Sequence, residues 1–62
     1  MKIGERLREL RGSMTQKEVA AGVGITLASL ECYERGERIP RDEVKLRFAT
    51  FYNVSIDSIF CD

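Results

Sequence analysis

The chain has 62 residues, ten basic and ten acidic, with no histidine and 44% hydrophobic residues. That size buries only about 60% of the unfolded surface, so a compact all-helical packing is expected and a deep cleft or second lobe is excluded. Without histidine, Ser–His and Cys–His nucleophiles and ordinary zinc ligand sets are out of reach, and the balanced charge gives no uniformly basic surface.

A first helix is predicted from about Lys2 to Arg11. Ile3, Leu7 and Leu10 recur at i, i+4 and i+7 with charges between them, and Gly12-Ser13 ends the run. Thr15-Gln16-Lys17-Glu18 reads as a capping box: the Thr15 hydroxyl takes an orphan amide, and Glu18 reaches back to the Thr15 amide. The second helix then runs to about Ala21 or Gly22 and buries Val19, Ala20 and Val23. Gly24 is free to take positive φ at the bend that follows, and Thr26 is the expected N-cap of a third helix.

At about 100° per residue, Leu30 and Tyr33 share one side of that helix with Thr26. Ala28, Glu31, Cys32 and Arg35 point the opposite way, with Leu27 on the flank. Gly36 stops the helix, and Pro40 closes a polar loop. A fourth helix, about Asp42 to Tyr52, places Val44, Phe48, Phe51 and Tyr52 inward and Leu46 on the far side. Asn53 suits a left-handed helix end, and Ser55 caps a last short helix that buries Ile56, Ile59 or Phe60.

Low-complexity tracts, internal repeats and linkers are lacking in this sequence, so residues 1–62 read as a single domain. No apolar run approaches the roughly 18 residues of a membrane span. The N-terminus carries charges where a signal peptide needs an apolar block, so a cytoplasmic protein is expected. Cys32 and Cys61 are too few for a disulfide framework and read as free thiols, with a redox role at Cys32 as the alternative. Neither a Gly-rich phosphate loop nor a paired-carboxylate site is present, so no enzyme and no cofactor are expected.

The helix–bend–helix unit at about 16–35 is the arrangement whose second helix can lie in the DNA major groove. Overall neutrality weakens the expected non-specific attraction to phosphates. The distribution helps: Glu18, Asp42, Glu43 and Asp57 fall early in helices, whereas Lys2, Arg6, Arg8, Arg11, Arg35, Arg38 and Arg41 fall elsewhere.

Five segments in order resemble the Xre-type helix-turn-helix family, the group containing phage lambda repressor and Cro. They are I-G-E-R-L-R-E-L-R, T-Q-K-E-V-A, G-I-T, Y-E-R-G-E-R-I-P and F-A-T-F-Y-N-V-S-I-D-S-I-F. The resemblance implies a compact five-helix, lambda-repressor-like fold. It also implies sequence-specific operator binding, usually as a symmetric dimer. By position, Gln16 with Thr15 and Lys17 would meet a phosphate at the start of helix two, and Arg35 and Arg38 would hold phosphates beyond helix three. Leu27, Ala28, Ser29 and Cys32 would face base edges, and Arg11 and Glu34 would form a structural ion pair.

The reading face departs from the hydrogen-bonding pattern that base recognition favours. Leu27 and Ala28 pack only against thymine methyl groups, Ser29 is permissive, and Glu31 can either accept from a cytosine amine or simply repel phosphate. Modest direct readout centred on thymines is therefore expected, with DNA shape and half-site spacing supplying the rest. Leu46, Val54, Ile56 and Phe60 are the candidate dimer contacts, although Ile56 also suits the core. The competing reading is a protein-interaction or antitoxin-like module that uses the apolar face of helix three for a regulatory protein partner.

Overall fold

The computed structural model describes residues 3–61. Five helices and no strand occur among them: α1 Ile3–Arg11, α2 Gln16–Val23, α3 Leu27–Glu34, α4 Asp42–Tyr52 and α5 Ile56–Phe60. The fold is all-α.

Local chemistry sets most of the boundaries. The Thr15 Oγ1 accepts the Glu18 amide at 3.0 Å while the Thr15 amide donates to Glu18 Oε1 at 2.8 Å, so two orphan donors at the start of α2 are satisfied reciprocally. Thr26 and Ser55 cap α3 and α5 through the amides of Ser29 and Ser58. The α2 helix runs to Val23, one or two residues beyond the expected end at Ala21 or Gly22. Gly24 ends it at φ 85°, and the amides of Gly24 and Ile25 both return to the Ala20 carbonyl. Asn53, at φ 57°, ends α4 in the left-handed conformation that a short polar side chain tolerates.

The core comprises Leu7, Val19, Ala20, Val23, Leu30, Tyr33, Phe48 and Ile59. Phe48 is fully buried among the rings of Tyr33, Tyr52 and Phe60, with centroids 6.1, 6.3 and 6.2 Å away. Val44, Phe51 and Tyr52 pack against this cluster from the same helix, and Ala49 is buried beside them.

Two apolar expectations are corrected. Leu10 is exposed, because α1 turns Gly4, Leu7 and the partly buried Arg11 toward the core and leaves Leu10 at the edge of that stripe. Gly4 explains the rotation: a Cβ there would collide with the Glu34 carbonyl oxygen and lie 3.0 Å from the Tyr33 carbonyl oxygen, so α1 meets the end of α3 backbone to backbone. Ile56 is also exposed, since α5 offers the core barely more than one turn and Ile59 fills that place completely.

Candidate nucleic-acid interface

The bend between α2 and α3 is short because three features cooperate. Ala20 is small and buried where the helices approach, Gly24 reverses the chain, and Thr26 restarts it in extended backbone at ψ 156°. Arg47 of α4 braces the bend by donating from Nη1 to the Gly24 carbonyl at 3.2 Å, and its other nitrogen meets Glu43 at 3.3 Å.

On α3, Leu30, Tyr33 and Glu34 face inward. Leu27 and Ala28 are exposed, and Ser29, Glu31 and Cys32 are half-buried. The Ser29 Oγ accepts from the Thr26 hydroxyl at 2.9 Å, which leaves its own proton available for donation outward. Cys32 is a free thiol whose Sγ lies 3.9 Å from an Arg35 nitrogen.

Glu34 is the organising residue. Its side chain is 2% exposed, and its carboxylate accepts from Arg11 Nε at 2.9 Å and Arg11 Nη2 at 3.1 Å. The Gln16 side-chain amide donates to the same carboxylate at 2.9 Å. Arg8 donates to the Glu34 backbone carbonyl, and Arg11 Nη1 donates to the Met14 carbonyl at 3.0 Å. A buried carboxylate is tolerable only when paired and hydrogen-bonded in this way. The hydrogen bond to Glu34 pushes the Arg11 guanidinium further above its ordinary value.

The bond from Gln16 has a positional consequence. It fastens the N-terminus of α2 beside the C-terminus of α3, so Thr15 and Lys17, both exposed, lie at the same end of the unit as Arg35. One of the two Gln16 amide protons is committed to Glu34; the other is available for an outside acceptor.

Beyond α3 the two arginines are held differently. Arg35 pairs with Glu37 in a two-point contact, Nε to Oε2 at 2.9 Å and Nη2 to Oε1 at 3.2 Å. That contact raises the Arg35 pKa and lowers that of Glu37. Arg38 instead lies over the Tyr33 ring, 5.8 Å from its centroid, where the negative π face favours a cation.

Tyr52 reaches toward the same buried network. Its hydroxyl is buried without a hydrogen-bond partner among the described residues, and its pKa is pushed up to about 12 by burial and then by the Glu34 charge, with Arg11 opposing.

The four apolar dimer candidates are dispersed. Leu46, 57% exposed, lines a groove with Gly22, Val23, Arg47, Thr50 and Phe51, whereas half-buried Val54 lines another with Arg6, Glu9, Leu10 and Ser58. Phe60 is half-buried against Phe48, and Ile56 is exposed.

Sequence reasoning overlooked Gly4, Gly22, Arg8, Glu37 and Arg47. The two glycines had a signal, since glycine inside a helical pattern commonly marks close packing. A Cβ on Gly22 would run into the Phe51 ring. No local pattern marks the carbonyl partners of Arg8 and Arg47, which are distant in the chain, although Glu43 four residues before Arg47 marks its helix pair.

The helix-turn-helix domain family matches the chain over residues 2–58. The chain belongs to that family. This helix-turn-helix protein is also similar to the cryptic phage CTXphi transcriptional repressor RstR of Vibrio cholerae serotype O1, with 39% identity over 61 residues. A second RstR, from Vibrio cholerae, is 34% identical over 59 residues. These alignments cover 95% and 92% of this chain but 54% and 53% of the two repressors, so it spans about half the length of the curated relatives it matches.

Proposed function

We propose that this helix-turn-helix domain binds double-stranded DNA in a sequence-specific manner and serves as a transcriptional repressor in the cytoplasm. In this reading α3 enters the major groove, with Leu27, Ala28, Ser29 and Cys32 toward base edges. Gln16, Thr15 and Lys17, together with Arg35 and Arg38, meet phosphates.

The Gln16–Glu34 hydrogen bond is the observation that carries this proposal. It puts the amide-bearing start of α2 beside the end of α3 that carries Arg35, so groups suited to phosphate gather at one end of the exposed helical face. The names of the two RstR relatives, both transcriptional repressors, support the same reading.

The apolar face of Leu27 and Ala28 favours contact with thymine methyl groups, and Ser29 adds one adaptable hydrogen bond. So few base contacts make a single module weakly selective. Doubling it across a palindromic operator, with half-sites roughly 34 Å apart, places both recognition helices on one side of the duplex. Leu46, with its groove, is the most exposed of the candidate dimer contacts.

Selection of bound sites from random duplex DNA tests the proposal. A symmetric, thymine-containing motif with half-sites one helical turn apart is expected. Unenriched pools at low ionic strength would instead favour the rival reading, in which 40%-exposed Leu27 docks on a protein partner.

A further inference from the structure

Arg35 is the C-cap of α3, and Gly36 at φ 76° turns the chain so that Glu37 folds back onto it. The Glu37 amide returns to the Cys32 carbonyl at 3.0 Å, which fixes the turn. The resulting two-point contact presents two carboxylate oxygens to the guanidinium edge, at 2.9 and 3.2 Å, in the geometry by which arginine grips a phosphate. Both side chains are 55% exposed, so the pair lies on the surface, at the end of the helix assigned to the groove.

We propose that Glu37 is an internal competitor for DNA phosphate at Arg35, a positioning residue that lowers sequence-independent affinity for duplex DNA. The inference rests on the DNA-binding reading of α3. A phosphate reaching Arg35 has to replace the Glu37 carboxylate, and the displaced carboxylate then faces the negatively charged backbone. Among the described residues Arg38 has its aromatic contact and no carboxylate competitor, so the two post-helix arginines differ in availability. The lowered pKa of Glu37 keeps the competitor ionised. An exposed pair of this type is weak, so Glu37 attenuates binding and does not abolish it. Such attenuation suits a domain with a poor base-reading face, whose phosphate contacts would otherwise dominate on every sequence.

The test is titration of a mixed-sequence duplex, followed by fluorescence anisotropy over a series of salt concentrations. It compares the parent chain with Glu37→Gln, Arg35→Gln, the double variant and Asp57→Asn, an exposed acid on α5. Glu37→Gln is expected to bind roughly two- to fivefold tighter, the equivalent of one exposed ion pair. Its log–log salt slope should steepen by about 0.9, one further phosphate neutralised. In the Arg35→Gln background the same change should leave the slope unaltered, and Asp57→Asn should not steepen it. Equal slopes for the parent and Glu37→Gln, or an identical gain without Arg35, would overturn the proposal while leaving DNA binding intact. Failure of every variant to bind at low salt would remove the DNA-binding reading itself, and this inference with it.

Discussion

Gln16 and Glu34, 18 positions apart, are joined by a 2.9 Å hydrogen bond on a carboxylate that Arg11 already grips at two points. Three helices therefore converge on one buried anion. Its loss is expected to be structural before it is functional. Glu34→Ala strands the Arg11 guanidinium, which is 22% exposed, and leaves Gln16 without its inward acceptor. A loss of about 3–4 kcal/mol is expected, the lower part of the range for broken buried pairs because Arg11 retains some solvent. Urea unfolding at pH 7 measures this; an unchanged midpoint would show that the network contributes no stability.

Gly4→Ala should destabilise the fold despite the higher helix propensity of alanine. The added methyl group meets backbone at the end of α3, which cannot rotate away as a side chain could. Overpacking of this kind costs about 1–3 kcal/mol beyond the propensity gain. In a chain this small, each kcal/mol lowers the thermal midpoint by roughly 4–8 °C. A melt at or above the parent midpoint would rule out the close approach.

Tyr52→Phe should be neutral or stabilising by about 1 kcal/mol, because it removes a buried hydroxyl that lacks a partner. The alkaline behaviour has a definite sign. The folded-state pKa, pushed up to about 12, lies above the ordinary 10.0, so the folded chain holds the phenolic proton more tightly than the unfolded one. The associated stability is fully present below pH 10 and is lost as the pH rises toward 12. Stability measured across that window should therefore fall less steeply for Tyr52→Phe than for the parent chain. Parallel curves would mean that Tyr52 titrates normally.

Much of the fold could be read from neighbours a few residues apart. The Thr15–Glu18 capping box, the Thr26 and Ser55 caps and the left-handed end of α4 at Asn53 are all local chemistry. The inward face of α3 followed from periodicity because Leu30 and Tyr33 lie well inside the buried stripe. Leu10 and Ile56 escaped the same reasoning, since periodicity gives the direction of a stripe but not its width or the docking partner. At the candidate interface, the outward side of α3 was legible at Ala28 and Arg35, which are exposed, less so at half-buried Glu31 and Cys32, whereas the Gln16–Glu34 bond and the Arg35–Glu37 pair depend on how helices and turns come together in space.

Two sets of substitutions should separate base reading from phosphate binding. Arg38→Gln should weaken binding to all duplexes and flatten the salt slope by about 0.9. Leu27→Gln or Ala28→Gln should change the preferred sequence, because an amide pairs with adenine where an alkyl group meets a thymine methyl. Sequence preference that survives both α3 changes would place the reading face elsewhere.

In the proposed complex, the outward face of α3 together with the start of α2 and the turn after α3 forms the DNA contact. Backbone amide chemical-shift mapping during addition of a duplex at low salt tests it most directly. Shifts are expected to concentrate at Thr15–Lys17, Leu27–Cys32 and Arg35–Arg38. Shifts confined to the groove of Leu46, Thr50 and Phe51, or none at all, would contradict it.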